Sequence, residues 1–354
     1  NGKDLKAIYG EDRDFRWRWG NLIGSAGWNY LINRKLFATF TGGYTRYRSH
    51  IIQKQNIFVS SPDKSGLVYF QEGHYRSAME DVNLRASFDY RPNVDHRIRM
   101  GSDYLFHIFR PEQSNMSSWY KDSVGSQMND MVFSHSLIHG HEVSLYAEDE
   151  MLLNDRLRVN AGLRFTLFHV QGETYQSFQP RFSARYLLGR NLSIKVSYTK
   201  MNQYIHLLSN SYISQPTDIW VPVTGNIRPM HAHQVTGGLC WHYRGLDFSA
   251  EGYYKRMNNL VEYKDNGPVL PSFAGWEERV GVGKGRSYGL ELMVQKKTGR
   301  FNGWVGYTLS WSDRWFPDGT VNKGHRFPSK YDNRHKVDIV ASYKLSEKVE
   351  LTAT

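Results

Sequence analysis

The 354-residue chain contains no long apolar run. A membrane-crossing helix needs about 18 or more nearly unbroken apolar residues, so no segment reads as one. Cysteine is almost absent: Cys240 stands alone, which excludes an internal disulfide framework and a cysteine-rich zinc site. In its strand-like surroundings it reads as a small wall side chain. There is no Gly-x-Ser-x-Gly elbow and no His-Glu-x-x-His pair. Gly281-Val282-Gly283-Lys284-Gly285 resembles a phosphate loop, but lacks its spacing and the Ser or Thr after the lysine. It is read instead as a flexible loop entering a strand at Ser287. No nucleophile–base pair stands in recognisable spacing, so no enzyme, catalytic residue or resident cofactor is expected.

The mean hydropathy of −0.59 is what a soluble chain would show. It is equally what a membrane barrel shows, because each spanning strand alternates a lipid face with a polar lumen face. That alternation dominates the sequence. Leu157 to Leu167 keeps it for eleven residues, and it recurs in Val82–Tyr90, Leu192–Tyr198, Leu246–Tyr254, Leu290–Gln295 and Val337–Leu345. Successive strand side chains point to opposite faces. One face is therefore apolar, and the other carries Arg85, Asp89, Arg158, Arg164, Lys195, Asp247, Glu251, Glu291, Asp338 and Lys344. The runs are of the length that a tilted bilayer-crossing strand needs, about 9–11 residues, and longer than the roughly 5–6 typical of soluble sheets.

Connections sort by length. Short turns read at 32–35, 91–96, 153–156, 188–191, 243–245, 297–300 and 345–348, all rich in Asn, Asp, Gly or Pro, residues that suit tight hairpins. Between them lie long irregular stretches at 51–74, 111–138, 204–230, 265–284 and 313–333, with a shorter link at 172–177. Short turns at one end and long loops at the other are the outer-membrane layout. Trp28, Tyr30, Tyr90, Tyr186, Trp241, Tyr243, Trp304 and Tyr343 cluster near the short-turn ends, as an interfacial girdle would. The expected fold is all-β, a transmembrane antiparallel β-barrel of about fourteen strands in one domain spanning 1–354. The ends, Asn1 and Thr354, read as cuts in a longer wall. The formal charge of +11 fits attraction to anionic lipid or an anionic solute, or balance by acidic parts elsewhere.

The most distinctive segment runs from Tyr198 to Gln234. A long polar–aromatic loop on a rigid wall is a natural contact surface for a ligand, and equally a structural loop folded into the lumen mouth. Candidate substrate contacts are Tyr204, His206, Trp220, Arg228, His231 and His233. Aromatics offer stacking faces, and arginine offers bidentate contact to carboxylate or phosphate. Two His-x-His pairs, His139/His141 and His231/His233, each place two imidazoles on one strand face, which permits a metal or haem contact. They serve more simply as interfacial or lumen histidines, and no metal site is assigned.

Several stretches resemble TonB-dependent receptors of Bacteroidetes-type bacteria. These are Tyr-Ile-His-Leu-Leu-Ser-Asn-Ser (204–211), Pro-Thr-Asp-Ile-Trp-Val-Pro (216–222), Asn-Ile-Arg-Pro (226–229), Gly-Arg-Ser-Tyr-Gly-Leu-Glu-Leu (285–292) and Tyr-Asp-Asn-Arg-His-Lys (331–336). The resemblance covers the whole chain, most specifically 190–345. It implies a 22-stranded barrel occluded by a plug domain and energised through TonB, with the plug and the C-terminal strands outside this sequence. It implies active import of a scarce solute such as a ferric siderophore. Outer-membrane lipid, the TonB complex, the transported small molecule, peptide or glycan, and a surface lipoprotein are the partners that fit. Nucleic acid is not among them. A passive porin or a surface adhesion barrel would share the wall, and these readings stay open on sequence alone.

Overall fold

The computed structural model describes residues 8–61, 64–121, 125–134, 137–208, 219–265 and 275–354. Eighteen strands run in chain order: β1 (Ile8–Asn33), β2 (Leu36–Ser61), β3 (Lys64–Tyr90), β4 (His96–Lys121), β5 (Ser126–Ser134), β6 (Ile138–Asn154), β7 (Leu157–Val170), β8 (Glu173–Leu187), β9 (Leu192–Gln203), β10 (Ile205–Leu208), β11 (Ile219–Pro222), β12 (Met230–Tyr243), β13 (Leu246–Tyr263), β14 (Val280–Lys296), β15 (Phe301–Trp315), β16 (Phe327–Pro328), β17 (His335–Lys344) and β18 (Glu350–Ala353). Fourteen of them form one antiparallel wall in the order β1-β2-β3-β4-β6-β7-β8-β9-β12-β13-β14-β15-β17-β18. β5 pairs with β4, β16 with β15, and β10 with β11 as a separate hairpin. The predicted strand number and all seven short turns are found.

The register fixes the two faces. Leu84, Tyr104, Val143, Leu167, Gln176, Val196, Leu239, Leu292 and Val305 belong to the face whose large apolar side chains are exposed. Leu22, Phe40, Leu163, Phe178, Leu290 and Ile339 lie on the same face and are also exposed. Leaving each such side chain in water rather than apolar surroundings costs about 1.5–3 kcal/mol. A belt of them is tolerable only against hydrocarbon. On β3 to β8 the opposite face is hydrogen-bonded and charged. Asp103, 3% exposed, accepts from Arg85 Nε at 2.5 Å and from Arg164 Nη1 at 2.8 Å. Ser144 and Thr166 share a hydrogen bond at 2.9 Å, Gln179 donates to Thr166 at 3.2 Å and to Ser177 at 3.0 Å. This polar face lines the lumen.

Three expectations about connections need correction. The stretches 51–74 and 111–138 are mostly paired strand, since β2, β3 and β4 run for 26, 27 and 26 residues and β5 extends the ladder. Crossing takes about 9–11 residues, so these strands continue far above the bilayer. Water on both faces removes any need to alternate, which is why Ile51-Ile52-Gln53-Lys54-Gln55 does not look like a spanning strand. The link at 172–177 shrinks to a two-residue turn at Gln171 (φ 49°) and Gly172 (φ 85°). Two consecutive positive φ values match the right-handed twist of the hairpin strands.

The third correction concerns 281–285, which is not a flexible loop but the start of β14. A Cβ on Gly283 would lie 2.6 Å from the Phe316 ring and 2.7 Å from the Trp315 carbonyl oxygen. Glycine is required there so that the loop after β15 can lie flat against the wall.

Candidate functional site

The long-loop end of the lumen is filled by a packed body built around the β10–β11 hairpin. In a two-residue alternation, His206, Leu208, Ile219 and Val221 face inward and are buried, while Leu207 and Trp220 face the open side. Leu208, Ile219 and Val221 pack with Ile227, Tyr263, Trp276 and Val280. A neighbouring cluster joins Tyr204 and Val223 to Phe109, Ile138, Phe168 and Val170 of the wall. The hairpin therefore spans the lumen between the β4–β6–β7 wall and the β13–β14 wall, with apolar contacts on both flanks.

Polar ties complete the body. Tyr175 Oη donates to the Thr224 carbonyl at 2.6 Å, and Ser177 and Tyr204 share a hydroxyl bond of 2.6 Å. Asn226 Nδ2 donates to Glu277 Oε2 at 2.7 Å, joining the segment between β11 and β12 to the 3-10 turn Trp276–Arg279. From that turn Arg279 reaches across to Glu112 on β4, with side-chain exposures of 1% and 3%. Its guanidinium also lies 5.9 Å above the Tyr263 ring. Burial pushes the arginine down to about 10, so it stays cationic at neutral pH. A charge buried this completely persists only when paired.

The six sequence-predicted contacts fall into three places. Tyr204 is 4% exposed and stacks on Phe168 at 4.9 Å. His206 is 5% exposed, and its Nε2 has no hydrogen-bond partner among the described residues. Burial pushes its imidazole down to about 4, so it is neutral at pH 7. Both residues hold the hairpin rather than present a surface. Trp220 and Arg228 lie on the body's accessible side, Trp220 half-buried opposite Leu207 and Arg228 exposed. Residues 209–218, which include Gln215 to Asp218 and the end of the 204–211 motif, lie outside the described residues.

His231 and His233 lie elsewhere. They share a face with Val235, Leu239 and Trp241, all exposed on the outer wall. His233 Nδ1 lies 2.9 Å from the Tyr198 hydroxyl on the neighbouring strand. The other pair has the same partner chemistry, with His141 Nδ1 3.0 Å from the Tyr104 hydroxyl. A third example joins His335 to Tyr307 at 2.8 Å. These are interfacial Tyr–His couples at the loop end of the lipid belt. No group of three or more His, Cys, Asp or Glu arranged to hold a metal occurs among the described residues.

Sequence reasoning missed Glu112, Arg279 and Glu277. Glu112 and Arg279 are 167 positions apart, and nothing local marks either. The one legible hint was Pro111 beside Glu112, since proline within a strand signals a bulge, and β4 carries an extra residue between its pairings to Arg76 and Ala78.

Comparison with known proteins places this architecture. No curated protein matches the chain in sequence. Among solved structures, the FrpB iron transporter from Neisseria meningitidis superposes with a TM-score of 0.56 at 11% identity, covering 93% of this chain and 57% of that one. The ferripyoverdine receptor of Pseudomonas aeruginosa gives 0.52 at 12%, covering 97% and 54%. The ferric yersiniabactin uptake receptor FyuA from Yersinia pestis gives 0.52 at 14%, covering 98% and 58%. At such identities the likeness is one of fold, and the chain spans little more than half the length of these three proteins. The family model described as "TonB dependent receptor-like, beta-barrel" matches residues 2–351. With the antiparallel wall, the lipid-facing belt and the polar lumen, this shows that the chain belongs to the TonB-dependent receptor β-barrel family of the Gram-negative outer membrane.

Proposed function

We propose that this chain is the wall and ligand-selecting mouth of a receptor that actively imports a scarce solute across the outer membrane. The observation that carries the reading is the packed body across the lumen. An open diffusion pore gains nothing from a hairpin anchored to both sides of its lumen by apolar clusters and a buried ion pair. A gated importer needs a mouth that binds first and passes the ligand only when driven. Energy then comes from TonB through a plug domain, and a surface lipoprotein is a compatible further partner.

The structural neighbours carry iron, ferripyoverdine and ferric yersiniabactin in their descriptions, which makes a ferric chelate the first substrate to try. Trp220 and Leu207 offer an apolar platform, and Arg228 offers a cation for an anionic chelate. Tyr204 and His206 act indirectly, by setting the hairpin's position. His231 and His233 face outward and are not ligand contacts in this reading.

The test is uptake of labelled ferric chelates by cells carrying the full-length receptor, with and without an active TonB system. Uptake lost without TonB while surface binding persists is the expected result. Uptake that survives would make the protein a passive channel. Binding without uptake in energised cells would make it an adhesion barrel.

A further inference from the structure

The wall changes height between β5 and β7. β5 pairs with β4 from Ser126 opposite Lys121 to Ser134 opposite Gln113. Among the described residues it has no other neighbour. The next strand, β6, has β4 on one side and β7 on the other, but β7 stops at Val170 opposite Gly140. The chain turns back there, at Gln171 and Gly172. The second side of β5 therefore stands open above that turn. In an antiparallel ladder, a residue that exchanges both main-chain bonds with one neighbour alternates with a residue that points both groups the other way. β5 has nine residues, so it offers about four N–H and C=O pairs to the open side, along roughly 30 Å.

Open edges are normally guarded by lysine, proline, a bulge or brevity. β5 has none of these. It reads Ser-Gln-Met-Asn-Asp-Met-Val-Phe-Ser, and its register with β4 runs without a shift. Met128, Asp130 and Val132 share one face. Met128 and Val132 are 68% and 70% exposed, and Asp130 is exposed with no ion pair among the described residues. An added strand would set its alternate side chains beside these three. A basic residue with an apolar residue two positions to either side complements them, and that pattern reads the same in both chain directions. The lower end of the edge leads to the body in the mouth: Ile138, just beyond Ser134, packs in the cluster that contains Tyr204 and Val223.

We propose that the open edge of β5 captures an extended peptide by strand addition, as the first contact of a peptide substrate with the mouth. The inference rests on the import reading above and gives it a substrate class. A row of donors and acceptors at the strand repeat is matched by another polypeptide backbone, with alternate side chains supplying the selectivity. A second barrel standing beside this one is a poorer fit, because the added strand has to lie directly above the Gln171–Gly172 turn, in line with β7. A peptide arriving from outside reaches that position freely, and is held with one end at the packed body.

The test uses the full-length receptor in mild detergent and a fluorescein-labelled nonapeptide with Val-Thr-Lys-Thr-Val at its centre, read by fluorescence anisotropy. Asp130→Lys is expected to weaken that peptide about fivefold, and to tighten by a similar factor a peptide with Glu as its central residue. Two further peptides carry N-methyl groups on alternate amides, in one phase or the other. One phase blocks the bonds to β5 and should lose binding about tenfold or more, while the other keeps it. Equal binding of the two methylated forms overturns the proposal, as does a Glu peptide that Asp130→Lys fails to tighten. Binding that merely splits a receptor dimer assigns the edge to a second copy and also overturns it. A peptide held by energised cells that never enters them overturns its role as substrate. Absence of peptide binding beside TonB-dependent uptake of a ferric chelate refutes this inference and leaves the import reading standing.

Discussion

His206 makes the hairpin across the lumen sensitive to acid. Its ring is 5% exposed, and burial holds the imidazole down to about 4, against an ordinary 6.5. Protonation therefore favours a state in which the hairpin has left its seat. The undocked state takes up the proton first as pH falls below about 6.5, so docking free energy declines steadily from there to about pH 4. At pH 5 the loss is about 2 kcal/mol, equivalent to roughly thirtyfold in the docking equilibrium. Hydrogen exchange of the amides in Ile205–Leu208 and Ile219–Pro222 measures this, compared at pH 7 and pH 5 after correction for the intrinsic rate. The strand β7 serves as internal reference. Protection in the hairpin should fall about thirtyfold relative to β7, and His206→Phe should abolish the difference. A wild-type hairpin equally protected at both pH values would refute the reasoning, as would a step that survives the substitution.

Other outcomes follow from the same contacts. Glu112→Gln removes a buried carboxylate that Arg279 reaches, and should cost the docked turn about 3 kcal/mol, read as faster exchange across Trp276–Arg279 with the wall unchanged. Replacing both partners, as Glu112→Leu with Arg279→Met, should recover most of that loss, because an apolar pair of similar volume avoids the desolvation cost. Gly283→Ala drives a methyl group into the Phe316 ring and the Trp315 carbonyl, and should destabilise the packed loop by about 1–3 kcal/mol, measurable as earlier proteolytic cleavage between β15 and β17. Trp220→Ala with Arg228→Ala should weaken ligand binding at the surface at least tenfold, while heat-modifiable migration in gels shows a barrel still assembled. Unchanged binding would remove the hairpin's open face from the ligand site.

The wall was legible because lipid imposes a rule on every second residue. Leu157 to Leu167 alternates since one face meets hydrocarbon and the other meets Asp103, Ser144 and Gln179. Turns were legible because Asn154, Asn33 and Gly245 carry local chemistry, such as the Asn154 side chain accepting from the Arg156 and Leu157 amides at 2.9 and 3.0 Å. Where the lipid ends, so does the rule. Strand pairing above the membrane at 51–74 looked like loop, because neither face there has to be apolar. The body in the mouth escaped notice for another reason. Its stability comes from pairs such as Glu112 with Arg279, which lie 167 positions apart and have no periodic signature. His231 and His233 stand beside the distinctive loop in sequence, yet alternation onward to Val235 and Leu239 puts them on the outer face.

The unequal strand lengths give the rim a profile. β1 to β4 run for 26 or 27 residues, roughly 85 Å of ladder at about 3.3 Å per residue. β7 and β8 close in the two-residue turn at Gln171–Gly172 after 14 and 15 residues. Over the described strands the rim is a tall screen at β1 to β4 and a low sill at β7 and β8. A bulky ligand, a phage tail or an antibody meets the screen broadside but passes over the sill directly. A folded tag inserted at Gly172 should obstruct capture of large ligands far more than the same tag inserted after Ser61 at the end of β2, although β2 is the longer strand.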